Sequence, residues 1–87
     1  LEVKLRQAYN ALEGGQRLLD RYRRVAEDSR TLYRAEQTRF AIGESTPFLV
    51  NSRENSFLDA QLKYLSTQAK QHVLEAKWYW ATGQTGP

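Results

Sequence analysis

The stretch Phe40–Glu54, FAIGESTPFLVNSRE, decides the fold, because it interrupts a chain that otherwise has the pattern of long helices. Gly43 can take the left-handed conformation that ends a helix. Thr46 can cap a new helix with its hydroxyl, and Pro47 suits the first helical position, where its missing N–H is harmless. The stretch therefore predicts the end of one helix and the immediate start of another.

Before this stretch, apolar and small side chains recur in alternating steps of four and three residues, which is the heptad seam of a coiled coil. The seam comprises Leu1, Leu5, Ala8, Leu12, Gly15, Leu19, Tyr22, Ala26, Ser29, Tyr33, Glu36 and Phe40. A second line, Ala11, Leu18, Val25 and Leu32, recurs every seven residues along one flank. Two adjacent apolar lines predict a helix packed between two neighbours. The heptad phase is the same on both sides of Gly14 and Gly15, which predicts a continuous helix.

After the stretch the pattern resumes in a second helix. Its apolar stripe comprises Leu58, Leu62, Leu65, Ala69, His72, Ala76 and Tyr79, with Phe57 and Tyr64 on one flank and Val73 and Trp80 on the other. Gly83, with Pro87 beyond it, is a stop signal. We therefore predict helices over about 3–41 and 47–82, a turn at 42–46 and a tail at 83–87. So short a connection makes the helices antiparallel, which gives an all-α, two-helix hairpin.

Size and composition restrict the function classes. The 87 residues contain no methionine and open inside the heptad pattern, so we expect a segment of a longer protein. No run approaches the ~18 consecutive apolar residues of a membrane span, so we expect the segment itself to be soluble. The net charge is +3, and the arginines of the first helix alternate with acidic residues. This pattern is typical of a solvated helix face and not of a nucleic-acid interface.

No residue pattern indicates chemistry. His72 is the only histidine, and without a cysteine or a second histidine it does not form a metal site. Ser45 and Thr46 have no base near them in sequence, and a helix cap explains them. We predict no catalytic, cofactor or metal site, and hence no enzyme. Trp78 and Trp80 cannot both face the first helix, so one of them packs in a bundle or contacts a further part of the parent protein.

The order of these elements resembles the outer-membrane efflux protein family, the TolC-like outer membrane factors, in the second of their two structural repeats. Phe40 and Gly43 match the aromatic-x-x-glycine turn of that family, and Phe48–Glu54 is similar to a subgroup of it. Leu58–Gln61 with Tyr64 and Leu65 matches its returning helix. The resemblance covers about residues 5–84. It implies a trimeric outer-membrane channel whose periplasmic helices form an α-helical barrel and whose turns dock onto a periplasmic adaptor linked to an inner-membrane pump.

The resemblance makes the turn the expected partner-binding site, in the periplasmic part of the channel. The candidate residues there are Phe40, Gly43, Glu44, Ser45, Thr46, Phe48, Asn51, Arg53 and Glu54. Known members carry acidic residues shortly after the turn glycine, whereas Leu49 and Ser52 stand here, so gating by an acidic ring is not expected. Two alternatives stay open. One is the hairpin of the periplasmic adaptor itself, and the other is a generic coiled-coil scaffold. Because a lone hairpin covers only one apolar face of each helix, we also expect self-association.

Overall fold

A computed structural model describes residues 2–83 as two long helices joined by a short turn. Helix α1 spans Glu2–Ala41 and helix α2 spans Pro47–Thr82. They lie side by side and antiparallel in a body that measures 62 × 25 × 13 Å. The predicted all-α hairpin is confirmed. Leu1 of the predicted seam and the tail after Gly83, with Pro87, lie outside the described residues.

The ends of α2 form as the sequence predicts. Thr46 has an extended backbone and its Oγ1 accepts a hydrogen bond from the N–H of Leu49, which makes it the N-cap, with Pro47 in the first turn. Gly83 closes the helix with a left-handed φ of 70°. Each cap satisfies backbone groups that the helix leaves without partners. Helix α1 continues through Gly14 and Gly15, again as predicted.

The predicted seam of α1 is the face that meets α2. Its described members from Leu5 to Glu36 are half-buried or buried, and Ala26 and Glu36 are the most buried of them. The flank line, Ala11, Leu18, Val25 and Leu32, remains exposed. The first of the two predicted apolar lines is therefore used within the hairpin, and the second is free.

The apolar stripe of α2 does not face α1. We call Leu58, Leu62, Leu65, Ala69, His72, Ala76 and Tyr79 the leucine face, and all seven are exposed. The side chains that meet α1 are those of Phe57, Ala60, Tyr64, Thr67, Gln71, Leu74 and Trp78, all half-buried or buried. At about 100° per residue, this inner face lies about 150° around the helix from the centre of the leucine face.

The rotation of α2 is fixed by contacts near the turn and not by which stripe is more apolar. Tyr33 stacks on Phe57 with ring centroids 6.1 Å apart, and its hydroxyl donates to Glu54 Oε2 at 2.7 Å. Arg53 lies 3.6 Å from the Glu36 carboxylate. These contacts turn Glu54 and Phe57 toward α1, and because side chains follow the helical period, the leucine face then points away.

At the opposite half of the hairpin, Gln71 inserts between the helices above Gly15. Its side chain is only 2% exposed, and Nε2 donates to the Leu12 carbonyl at 2.9 Å. A Cβ on Gly15 would overlap Gln71 Oε1 and lie 3.4 Å from Leu74 Cδ1. The glycine on the seam of α1 thus leaves room for a side chain of α2.

Aromatic packing continues to the open end of the hairpin. Trp78 packs against Tyr9 with ring centroids 5.6 Å apart and a tilted geometry, which is a favourable aromatic arrangement. Trp80 is 78% exposed. Only one of the two tryptophans faces α1, as helical spacing requires.

Candidate functional site

The turn is held in one conformation by backbone hydrogen bonds. Gly43 adopts φ 80°, a left-handed value that glycine takes without strain. Its N–H donates to the Phe40 carbonyl at 3.1 Å, and the Glu44 N–H donates to the Arg39 carbonyl at 2.8 Å. The Arg39 guanidinium also donates to the Glu44 carbonyl at 3.2 Å. These bonds complete the last turn of α1 and reverse the chain.

A buried carboxylate ties the turn to both helices. Glu36 belongs to the inner seam of α1 and is 4% exposed. Its Oε2 accepts a hydrogen bond from Ser45 Oγ at 2.5 Å. Arg53 Nε of α2 lies 3.6 Å from Oε1, and Arg39 Nη1 lies 3.9 Å from Oε2. A buried charge is costly unless it is paired and hydrogen-bonded, and this one has both kinds of partner.

The partners of Glu36 stabilise its charged form. The hydrogen bond from Ser45 lowers the pKa of the Glu36 carboxyl below its ordinary value, the charges of Arg39 and Arg53 lower it further, and burial opposes them. Through the same hydrogen bond, Glu36 holds the Ser45 hydroxyl in a fixed position in the turn.

A second cross-helix contact lies one turn of helix further from the tip. The Tyr33 hydroxyl donates to Glu54 Oε2 at 2.7 Å and accepts from Gln37 Nε2 at 3.0 Å. The hydrogen bond to Glu54 is the main cause that raises the pKa of Tyr33 above its ordinary value. Together with the Glu36 cluster, this contact fixes the spacing of the two helices immediately behind the turn.

Apolar side chains cover the outside of the turn. Phe48 is 77% exposed and Ile42 is 65% exposed, and Phe40 and Leu49 are also exposed. We call these four residues the apolar crown. Large apolar side chains that project together from an ordered turn are typical of a protein-binding surface, because exposure of such a group to water is unfavourable.

The nine residues predicted for the turn divide into two sets. Phe40, Glu44, Phe48 and Asn51 are exposed and free to meet a partner. The others shape the turn, since Gly43 reverses the chain, Thr46 caps α2, Ser45 and Arg53 bind Glu36, and Glu54 binds Tyr33. The structure thus brings all nine to one end of the hairpin. Seven of them are exposed, and only Ser45 and Glu54 are half-buried.

Sequence reasoning missed Glu36 and Ile42. Glu36 is the one charged residue on the first seam, and a lone carboxylate in an apolar seam is a usable sign of a polar cluster. Ile42 stands between the last helical residue and Gly43, so its exposure follows only from the geometry of the turn.

The rest of the described chain offers little else for chemistry. His72 is exposed on α2, and among residues 2–83 no group of three or more metal-ligating side chains comes together. Within the same range, neither helix is long and apolar enough to cross a membrane.

Comparisons with known proteins identify no relative. A scan against protein-family models and searches of curated proteins and of solved structures found no match to this chain. The function is therefore inferred from the exposed surfaces of the hairpin.

Proposed function

We propose that the hairpin is the periplasmic coiled-coil tip segment of a trimeric outer-membrane efflux or secretion channel. Its turn would dock onto a periplasmic adaptor protein, and through it onto an inner-membrane pump, to form a continuous export conduit. The observation that carries the proposal is the apolar crown, which stands at the end of a rod 62 Å long. Such a rod can present a contact surface far from the place where the parent protein is anchored.

The polar cluster behind the crown supports docking, because it orders the turn before any partner arrives. Ser45, Arg53 and Arg39 converge on one buried carboxylate, and Thr46 starts α2 at once. A preorganised surface loses little conformational entropy on binding, so more of the contact energy appears as affinity. A hairpin that served only as a spacer would have no need of an ordered apolar turn.

The free faces along the rod support the barrel context. The flank line of α1 and the leucine face of α2 both remain exposed in the isolated hairpin. Helices in a barrel need a neighbour on each side, and these two faces supply the positions for such neighbours.

In-cell photo-cross-linking tests the proposal. The structure shows that Ser45 is an unsuitable site for the probe, because its hydroxyl binds Glu36. Phe48 is the better position, since it is exposed and carries no hydrogen bond of the turn. A photoreactive residue at Phe48 of the full-length protein is expected to capture a periplasmic adaptor. The same residue at Thr31, which is exposed on α1 and lies ten residues before the end of that helix, serves as the matched control and is expected not to.

A backbone variant adds the second arm. Gly43→Val forces a β-branched residue into the left-handed region, which costs roughly 1–2 kcal/mol and distorts the turn. We expect this variant to lose the adaptor cross-link. Capture of an outer-membrane channel would instead identify the hairpin as belonging to an adaptor. Capture of cytoplasmic proteins would identify a scaffold, and either result would overturn the proposal.

A further inference from the structure

All four lysines of the chain lie on one side of the hairpin. Lys63, Lys70 and Lys77 repeat every seven residues along α2, and Lys4 stands seven residues before Ala11, the first member of the flank line of α1. A spacing of seven keeps side chains on one edge of a helix. The three lysines of α2 are exposed, and none of them forms an ion pair within residues 2–83. Their charge is therefore presented to solvent.

The lysine edge of α2 faces the flank line of α1 across a groove. Val25 and Lys63 line this groove together, one from each helix. Its floor is made by side chains of the helix interface, among them Tyr22, which is half-buried, and Ala60, which is buried. We call it the lysine groove, and its two walls are the flank line and the edge formed by Lys63, Lys70 and Lys77.

The two walls keep the same register along the rod. Because the helices are antiparallel, seven residues back along α1 correspond to seven residues forward along α2. Leu18 therefore lies at the level of Lys70, and Ala11 lies at the level of Lys77. The aromatic contact between the helices near the open end shows that this register is maintained. The groove thus repeats one arrangement, an apolar side chain opposite a lysine.

Carboxylates border the lysine groove only toward the turn. Asp59 lines it beside Val25, and Asp28 lies at about the same level on α1. Further from the turn, the positions that border the groove carry no aspartate or glutamate. Their charged residues are all basic: Lys4, Arg21, Lys70 and Lys77. Most of the groove is therefore apolar along one wall and positively charged along the other, without neighbouring carboxylates.

The spacing of the two walls indicates that the partner is a helix. Apolar side chains every seven residues on one wall, and lysines every seven residues on the other, are what a third helix meets when it packs between two helices of a coiled coil. A membrane surface or a nucleic acid requires positive charge, but it does not require that charge to keep step with an apolar line. The helix that fits carries an apolar stripe flanked by carboxylates.

A second copy of this hairpin does not supply such a helix. The leucine face is apolar, but the carboxylates near it are turned elsewhere. Glu54 accepts a hydrogen bond from α1, Glu75 lines a groove with Leu12, and Asp59 lines the lysine groove itself. Carboxylates do repeat every seven residues on α1, but without an apolar line beside them: Glu13, Asp20 and Glu27.

We propose that the lysine groove binds an acidic amphipathic helix of a partner that is not a copy of this chain. Apolar side chains of the partner cover the flank line, and its carboxylates pair with Lys63, Lys70 and Lys77. The partner completes a three-helix bundle along the shaft. This contact uses neither the turn nor the leucine face, so it goes beyond the docking proposed for the turn.

Titration with synthetic peptides tests the groove. The acidic probe has about four heptads, with leucine at both seam positions and glutamate at both flanking positions, and repulsion between glutamates keeps it from pairing with itself. One control peptide has lysine in place of each glutamate, and a second has the composition of the acidic probe in scrambled order. Fluorescence anisotropy of the labelled peptides is expected to show that the full chain binds the acidic probe about 30-fold more tightly than either control.

Matched charge reversals in the hairpin locate the contact. Lys63→Glu with Lys70→Glu is expected to weaken binding of the acidic probe about 25-fold, or about five-fold for each lysine, and to favour the lysine peptide instead. Arg23→Glu with Arg30→Glu makes the same change in net charge on the opposite side of the rod, where both arginines line a groove with Phe57. That control is expected to change the affinity less than about 3-fold, because charges are screened over about 8 Å at 0.15 M salt.

A second pair of variants tests the apolar wall. Leu18→Ser removes an apolar side chain from the flank line and is expected to weaken binding of the acidic probe about 10-fold. Leu62→Ser makes the same change on the leucine face and is expected to leave the affinity unchanged. Circular dichroism checks that each variant keeps its helices.

Any of four results would overturn the proposal. The acidic probe fails to bind, or the scrambled peptide binds as tightly. The arginine variant loses as much affinity as the lysine variant. Leu62→Ser weakens binding more than Leu18→Ser. The chain binds phosphatidylserine vesicles more tightly than the acidic probe and loses the vesicles with Lys63→Glu and Lys70→Glu, which would make the groove a membrane-binding surface. Gly43→Val is expected to lose the adaptor cross-link but keep the peptide, so failure of docking at the turn and failure of this contact are distinguishable.

Discussion

Two polar side chains are buried between the helices, and the hairpin holds them in different ways. Near the turn, Glu36 has partners from α1, the turn and α2. In the other half, Gln71 makes one hydrogen bond, to the Leu12 carbonyl, and its Oε1 finds no partner in the described part of the chain. Both side chains are less than 5% exposed. Glu36 is held by its charged and hydrogen-bonding partners. Gln71 is held mainly because its side chain fits the space that Gly15 leaves.

The difference shows how the two ends of the rod are specialised. A network that satisfies every group makes a region rigid and specific, whereas a polar group with an unfilled acceptor contributes little and can be costly. The turn is the ordered end. At Gln71 the helices are held chiefly by shape, because Gly15 has no Cβ and so leaves room for the Gln71 side chain.

The largest expected effect on the free energy of unfolding comes from filling the space that Gly15 leaves for Gln71. Gly14→Ala adds a methyl group whose nearest neighbour is the flexible Arg17 side chain at 4.0 Å, and it is expected to raise the free energy of unfolding by about 1 kcal/mol through helix propensity. Gly15→Ala has the same gain in propensity, but its methyl group displaces Gln71. The lost packing and hydrogen bond should leave a net destabilisation of about 1–2 kcal/mol. Urea denaturation followed by circular dichroism measures both variants.

The double variant Gly15→Ala with Gln71→Ala provides the control, since it removes the overlapping side chain and should recover part of the loss. If Gly15→Ala stabilises the hairpin as much as Gly14→Ala does, Gln71 leaves its site at no cost, and the shape argument fails.

Local signals were readable from the sequence, but the face that α2 turns toward α1 was not. Gly43, Thr46 and Pro47 each act through the backbone of their own neighbourhood, so the turn and the start of α2 follow directly from residue type. Periodicity showed that α2 has a leucine face, but it did not show which helix meets it. That choice depends on contacts between residues far apart in sequence, such as Tyr33 with Phe57.

The buried polar residues were missed for the same reason. Glutamate and glutamine are usually exposed, and only a specific tertiary partner makes their burial favourable. Glu36 could have been noticed as a charged residue on a seam. The burial of Gln71 could not have been predicted, because the residues around it on α2 give no sign that it lies opposite a glycine of α1.

The next largest effect is expected when acid protonates Glu36 near the turn and lowers the stability of the hairpin. The folded pKa of Glu36 is lowered from its ordinary value of 4.5, so the unfolded chain takes up the proton first as the pH falls. The stabilisation from Glu36 is therefore complete above that value and is lost as the pH falls through the folded pKa. Glu36→Gln should lower stability at neutral pH and reduce the loss on acidification, measured as melting temperature against pH.

Glu44→Gln is the matched control for that profile. Glu44 lies in the same turn and is exposed, and its contacts in the described chain are made by its backbone. An acid profile that changes equally in both variants would mean that the turn responds to net charge and not to the Glu36 cluster.

The smallest expected effect on stability concerns two tyrosines, each of which donates a hydrogen bond to a glutamate. The Tyr33 hydroxyl donates to Glu54 across the helices, and the Tyr9 hydroxyl donates to Glu13 within α1, each at 2.7 Å. In both cases the carboxylate is the main cause that raises the tyrosine pKa above 10.0. A raised folded pKa means that the stabilisation is present below pH 10.0 and is lost as the pH rises through the folded value.

Only the bond of Tyr33 joins the two helices, so only its loss should loosen the hairpin. Tyr33→Phe keeps the ring on Phe57 but removes the hydroxyl, and we expect a lower melting temperature, by less than for Gly15→Ala, and a smaller loss of stability at alkaline pH. Tyr9→Phe keeps its ring on Trp78 and should change the melting temperature much less. If the two substitutions lower the melting temperature equally, the hydrogen bond between Tyr33 and Glu54 does not stabilise the contact between the helices. The order of the turn would then depend on the contacts of Glu36 alone.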